Sequence, residues 1–305
     1  MRPAEALCKH SGMTRPAVVA NDVHKQYPDV KALDGCSFHI DFGECVALLG
    51  PNGAGKTTVT EILEGYRKQD SGAVEVLGVD PAHGDRAWRS QLGIVLQSDR
   101  DLSDLTVLES VQHFAGYYPD PRDADEVIEA VGLSEKRTSR NEKLSGGQRR
   151  RLDVALGIVG RPKVLFLDEP TTGFDPEARR EFWALIESLK DEGTTILLTT
   201  HYLEEAEQLA DRVAVISRGR VLACDTPAQL GGRERSSARV SWLEDGVRAE
   251  IQTMEPARTI VDLVQRIGGE IPGLEVRRET LEDIYLGLIA GDRDGATPMV
   301  QVDVE

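Results

Sequence analysis

Eight consecutive residues, Gly50, Pro51, Asn52, Gly53, Ala54, Gly55, Lys56 and Thr57, have the composition of a loop that holds phosphate. They satisfy the pattern GxxxxGK[ST] at every fixed position, and Thr58 follows them. Glycines here let backbone N–H groups turn inward around an anion, and a helix beginning at Lys56 directs its positive end to the same point. Lys56 is expected to bridge the β- and γ-phosphates of a nucleotide, and the Thr57 hydroxyl to ligate Mg²⁺. A glycine-rich turn that binds nothing is the bland alternative. The apolar strand before this loop and the amphipathic helix after it, with Val59, Ile62 and Leu63 on one face, argue for the phosphate loop.

A second segment, Val164-Leu-Phe-Leu-Asp168-Glu169-Pro170, is an apolar strand ending in two carboxylates. Alone it reads equally well as a buried strand meeting a solvated loop. Beside a phosphate loop, Asp168 is expected to hold Mg²⁺, directly or through water, and Glu169 to orient or deprotonate an attacking water. A third segment, Leu144, Ser145, Gly146, Gly147 and Gln148, precedes a helix carrying Leu152, Ala155 and Leu156. Ser145 and Gln148 make a capping box, but a capping box does not require two glycines. Paired glycines at a helix start expose N–H groups to an anion. A second anion-binding helix is surplus for one nucleotide in one chain, and makes sense if it faces the ATP of another subunit. The run Arg149, Arg150 and Arg151 reads as the solvated face of that helix.

The elements around these segments follow from patterning. Residues 18–27, 37–40 and 44–49 read as strands separated by Asp/Gly turns, and residues 56–65 as a helix. From about residue 98 the chain turns helical, as in 105–118 and 124–131, which marks a helical subdomain inserted at about 98–150. Strand and helix then alternate: 164–167, 176–190, 195–199, 203–210 and 212–217. This is an α/β doubly wound nucleotide-binding pattern. Residues 231–237 read as a polar linker. Beyond it, strands at 238–242 and 247–253, a helix carrying Ile260, Leu263, Val264 and Ile267, and a short helix capped by Thr280 make a small α+β unit. The expected organisation is a flexible leader over 1–15, a nucleotide-binding domain over 16–230, and an accessory domain over 231–305 that frays after Ala290.

The composition narrows the partners. The net charge of −16 disfavours nucleic acid. Cys8, Cys36, Cys45 and Cys224 are scattered, which suits a reducing compartment and gives no zinc site. The longest apolar runs are too short to cross a bilayer, and residues 1–12 lack the apolar core of a signal peptide. A soluble protein that stays inside the cell is expected.

Over residues 18–227 the chain resembles the ABC ATPases, with a P-loop NTPase fold and an inserted helical subdomain. LSGGQ is similar to the signature motif of that family, and LFLDEP to its Walker B strand. The resemblance implies further roles. Tyr27 stands where an aromatic stacks on adenine. Gln97 matches the glutamine that touches Mg²⁺ and signals to a membrane subunit. Asp175 matches the D-loop aspartate, although Phe174 stands where leucine is commoner, and His201 matches the switch histidine at the γ-phosphate. It also implies an ATP hydrolase in which two head-to-tail subunits enclose two ATP molecules, each between one phosphate loop and the opposing Ser145–Gly147 segment.

HYLEEAEQLADRV and the closing LEDIYLGL resemble the daunorubicin-resistance-like ATP-binding subunits that pair with ABC-2 permeases. That implies a homodimer on the cytoplasmic face of the cell membrane, driving a separate permease that exports drugs or other amphipathic compounds. The main alternative is a translation- or repair-associated ABC ATPase. The first of these usually carries two cassettes, and the second a long coiled coil or zinc hook; neither is present. The C-terminal unit reads equally as dimer-stabilising, regulatory or permease-contacting.

Overall fold

The computed structural model describes residues 15–95, 104–235, 237–244 and 246–293. Gln97 and nearly all of the expected leader lie outside the described residues. Contacts divide the chain into two compact units, Met1–Thr226 and Pro227–Glu305.

The first half of the first unit contains β1 (Val18–Gln26), β2 (Lys31–Ile40), β3 (Cys45–Leu49), α1 (Lys56–Leu63), β4 (Ser71–Val76), α2 (Arg86–Arg89) and β5 (Leu92–Val95). Then come α3 (Val107–Ala115), α4 (Ala124–Ala130), α5 (Gly146–Ile158), β6 (Val164–Asp168), α6 (Pro176–Asp191), β7 (Thr195–Thr200), α7 (Leu203–Leu209), β8 (Arg212–Ser217) and β9 (Arg220–Asp225). The main sheet has the order β5-β6-β7-β3-β8-β9, parallel except for the antiparallel pair β8/β9. Every residue of β3 and β7 is buried, so these strands read in sequence as unbroken apolar or threonine-rich runs. The parallel strands end on one side, and β3, β6 and β7 deliver their following loops there.

A second sheet, β2-β1-β4, is antiparallel. Its hairpin turns at Pro28 and Asp29, where Tyr27 N–H donates to Val30 O at 2.8 Å. Asp34 and Gly35 are therefore not the expected turn. They lie inside β2, where the register jumps from Val23↔Cys36 to His24↔Asp34, and Gly35 absorbs the bulge at φ 86°.

Helices α3, α4 and α5 pack together through Val107, Val111, Val127, Ile128, Leu152 and Leu156. α5 carries Leu152, Ala155 and Leu156 as expected and ends at Ile158, its second half buried between those helices and the main sheet. Strands β4, β5 and β9 were not anticipated. β5 is only 4 residues long and contains Gly93, while β4 starts with exposed residues at a sheet edge.

The second unit contains β10 (Ala238–Glu244), β11 (Val247–Thr253), α8 (Pro256–Ile267), β12 (Glu275–Arg277) and α9 (Leu281–Arg293). Its antiparallel sheet has the order β11-β10-β12. Val240, Trp242, Leu263 and Ile271 form its core. Gly268 closes α8 in the left-handed conformation, as its position predicts. Thr280 caps α9 by accepting from Asp283 N–H at 3.2 Å, and α9 runs to Arg293. The expected linker is corrected as well. Leu230 is fully buried, and Arg233 donates to Pro227 O and Glu279 O, each at 3.1 Å, so this stretch is built into the second unit. Among the described residues no helix is long and apolar enough to cross a membrane.

Candidate functional site

The loop between β3 and α1 is shaped by close approaches that only glycine tolerates. A Cβ on Gly50 would stand 2.3 Å from Ile216 O, and one on Gly55, which has φ 106°, would stand 2.6 Å from Ala32 O. Gly55 is also the N-cap of α1, so the first N–H groups of that helix open into the loop. Lys56, 7% exposed, donates from Nζ to Gly50 O at 2.7 Å and to Pro51 O at 3.2 Å. Burial lowers its pKa from the usual lysine value, and the carboxylates of Glu169 and Asp168 oppose that shift. Desolvated and aimed into the loop, this ammonium gains strongly from a phosphate placed before it.

A cavity of about 530 Å³ opens over the loop. It is lined by Tyr27, Asn52, Lys56, Thr57, Asp168 and Glu169, among others. The two carboxylates have different surroundings. Asp168, the last residue of β6, accepts a hydrogen bond from Thr199 Oγ1 of the neighbouring strand. Glu169 has turned out of the strand at φ 45°, and its N–H donates to Thr199 O at 3.0 Å. Such a conformation is strained for a non-glycine residue and aims the side chain away from its neighbour. Its Oε1 lies 3.3 Å from His201 Nδ1, an exposed imidazole between β7 and α7. The arrangement sets an imidazole beside the Glu169 carboxylate, and Glu169 itself lines the cavity over the phosphate loop. Thr57 and Asp168 together offer a hydroxyl and a carboxylate oxygen, a partial hard-donor set that suits a small divalent ion completed by phosphate and water.

The LSGGQ segment begins α5. Ser145 Oγ accepts from Gln148 N–H at 3.3 Å, and Gln148 Oε1 accepts from Ser145 N–H at 3.1 Å, so the capping box is formed. Leu144 is buried beneath it. Among the described residues the two glycines have no comparable reason. A Cβ on Gly146 would meet nothing within 4 Å, and one on Gly147 only Phe174 at 3.9 Å and Gly173 O at 4.0 Å. The space they leave faces outward.

Asp175 caps α6 by accepting from Ala178 N–H at 2.8 Å. Phe174, the departure from the family pattern, is buried edge-on against Phe182 with ring centroids 6.0 Å apart. Tyr27 is half-buried at the cavity wall, with Lys25 Nζ and Arg67 Cζ at 5.8 and 5.6 Å from its ring centroid.

Three residues with a place in this site escaped the sequence reading. Arg150 is no part of a solvated face. It is buried and donates to Pro170 O at 3.2 Å and to Asp168 O, tying α5 to the carboxylate turn. Glu205, fully buried on α7, has its carboxyl pKa raised by desolvation, which the Thr200 and Thr171 hydroxyls, Arg179 and His201 oppose. Glu64, at the end of α1, is pushed up to about 8, mainly by burial and then by the charges of Asp168 and Glu61. The only signal for Arg150 was its heptad neighbourhood: it lies on the same helical face as Val154 and Gly157.

The ABC transporter family profile matches residues 33–172. The chain is 38% identical to "Daunorubicin resistance ATP-binding protein DrrA3" of Streptomyces coeruleorubidus, over 92% of this chain and 98% of that one. It is 43% identical to "Nod factor export ATP-binding protein I" of Burkholderia pseudomallei (strain 1710b), over 68% of this chain and 70% of the relative. In fold it is similar to a solved "ATP binding subunit of ABC transporter", with a TM-score of 0.67 and 23% identity over 89% of this chain and 99% of the other. With a phosphate loop, a carboxylate turn and an LSGGQ helix assembled as described, this chain belongs to the ATP-hydrolysing, ATP-binding subunits of the ABC transporter family.

Proposed function

We propose that this chain powers an exporter by closing and reopening as a homodimer around two ATP molecules, on the cytoplasmic face of the membrane, against a separate ABC-2-type permease. The names of two relatives, which speak of daunorubicin resistance and Nod factor export, support export of an amphipathic compound. The observation that carries the dimer is the open space at Gly146 and Gly147: no described residue requires glycine there, so the first N–H groups of α5 are suited to an anion brought from outside.

In this reading Tyr27 stacks on adenine, and the backbone of residues 50–55, with Thr58 beside it, cradles the phosphates. Lys56 gives up its carbonyl partners for β- and γ-phosphate oxygens. Thr57, Asp168 and Gln97 would hold Mg²⁺, which when bound neutralises phosphate charge. Glu169 accepts a proton from the attacking water as the bond between the γ-phosphorus and the β–γ bridging oxygen breaks, yielding ADP and inorganic phosphate. His201 holds the γ-phosphate and, through its 3.3 Å contact, keeps Glu169 in line. Ser145, Gly146, Gly147 and Gln148 of the opposite copy contact the same γ-phosphate, with Leu144 anchoring them and Asp175 at the seam. Loss of that shared charge after hydrolysis lets the pair open. Residues 104–158 and Gln97 pass the motion to the permease.

The test is an affinity pull-down from detergent-solubilised host membranes with the Glu169→Gln variant and ATP. Co-purification of a multi-span permease is the expected result. Recovery of ribosomes or DNA-repair proteins in its place would overturn the transport reading while leaving the ATPase chemistry intact.

A further inference from the structure

The second unit ends its sheet on an unprotected strand. β11 is paired with β10 on one side, and no strand lies on its other side among the described residues. Free edges are normally blunted by a proline, a bulge, a covering segment or charged side chains, and the charges of β11, Arg248 and Glu250, are of opposite sign. β11 contains no proline, and its pairing runs without a bulge from Ala238↔Thr253 to Glu244↔Val247. None of its residues is buried, with Val247 70% and Ile251 45% exposed.

Its sequence, Val247-Arg-Ala-Glu-Ile-Gln-Thr253, is complementary to itself in one register. Two copies related by a two-fold axis perpendicular to the sheet must pair symmetrically about one residue, because side chains opposite each other share a face. Centring on Glu250 sets Glu250 against Glu250, and centring on Arg248 sets Arg248 against Arg248, both unfavourable. Centring on Ala249 sets Arg248 opposite Glu250 twice and Val247 opposite Ile251 twice. Among the described residues Glu250 is paired only with Arg239, at 3.9 Å, so its carboxylate is available to a second guanidinium.

We propose that β11 is the docking edge for a second copy of this chain, paired antiparallel about Ala249 and formed without nucleotide. The two three-stranded sheets join into one. Val240, Trp242, Ala249 and Leu263 lie in one core, so α8 covers the face that also carries Val247 and Ile251. Pairing therefore puts both α8 helices on the same face of the joined sheet. This interface is additional to the ATP-dependent one proposed above and does not rest on it.

Sedimentation of the full chain in EDTA, free of nucleotide, tests the pairing. The expected species is a dimer. Ile251→Lys, at an exposed position, weakens it by about tenfold or more, and so does Arg248→Glu, while the double exchange R248E/E250R restores it. Arg248 also bonds Ser241 Oγ and Glu275, so Ile251→Lys carries the test by itself if Arg248→Glu disturbs the fold. A register readout comes from Ala249→Cys, which brings two thiols together on the axis and cross-links under mild oxidation, whereas Gln252→Cys does not. A monomeric wild-type chain, a dimer indifferent to Ile251→Lys, or equal cross-linking at residues 249 and 252 would overturn the proposal.

Discussion

The strands that carry the nucleotide loops and the strand that closes the second unit sit at opposite extremes of burial. Each residue of β3 is buried, and so is each of β7, whereas β11 has no buried residue. In the first case the sheet dictates residue type: β3 must be apolar on both faces, and its loop then leaves at the carboxyl end of the sheet whatever else the chain does. In the second, the sheet leaves the residue types free. The same contrast recurs inside the first unit. Gly50 and Gly55 are demanded by backbone atoms within 2.6 Å of where a Cβ would stand, while Gly146 meets nothing. Constraint that the chain's own packing explains marks scaffold, and constraint it leaves unexplained marks a surface awaiting a partner.

Substitutions can break or sharpen that contrast. The largest effect is expected at Glu169. Glu169→Gln lowers ATP turnover by about a hundredfold or more while a fluorescent ATP analogue still binds. Lys56→Ala, by contrast, abolishes that binding; equal binding in the two variants would refute the separation of roles. Next in size is Phe166→Ala, a fully buried strand residue, which costs about 3–5 kcal/mol of stability in denaturant titration. Trp242→Ala in the second unit is expected to leave ATP turnover within about twofold of wild type, because it removes core from a unit that carries none of the nucleotide residues. A similar loss of turnover in both variants would dissolve the distinction between the units.

Arg150→Met is expected to cost about 1–3 kcal/mol, since it leaves Pro170 O and Asp168 O without their charged donor, and to lower kcat with little change in KM. A pH effect is expected at Glu64. Its carboxyl is held protonated up to about 8 in the fold, against an ordinary 4.5, so the unfolded chain releases this proton first. Stability contributed at this site falls as pH rises from about 4.5 to about 8, and Glu64→Gln should flatten that part of the pH–stability curve. An unchanged slope would show that Glu64 does not carry it.

Segments whose meaning is local were legible in the sequence. The phosphate loop, the run ending at Asp168 and Glu169, and the Ser145 capping box each state their geometry within a few residues. What escaped depends on tertiary neighbours. In sequence Arg150 looks no different from Arg149 and Arg151 until α5 is laid against the turn at Pro170. Glu205 sits in a run of acids that resembles a solvated helix face, yet α7 turns it inward. Asp34 and Gly35 spell a turn, but pairing with β1 makes them a bulge. Strand β5, 4 residues long, was too short to show a period.

Arg150 has one more effect in the proposed pair. Each copy's α5 serves the ATP bound by the other copy, while its own carboxylate turn serves its own ATP, and Arg150 fastens the two together. Around the pair these links close into a ring, so a displacement at either nucleotide travels through both chains and returns. Such a pair would hydrolyse ATP cooperatively even without a permease, with a Hill coefficient above one that falls toward one when Arg150 is replaced.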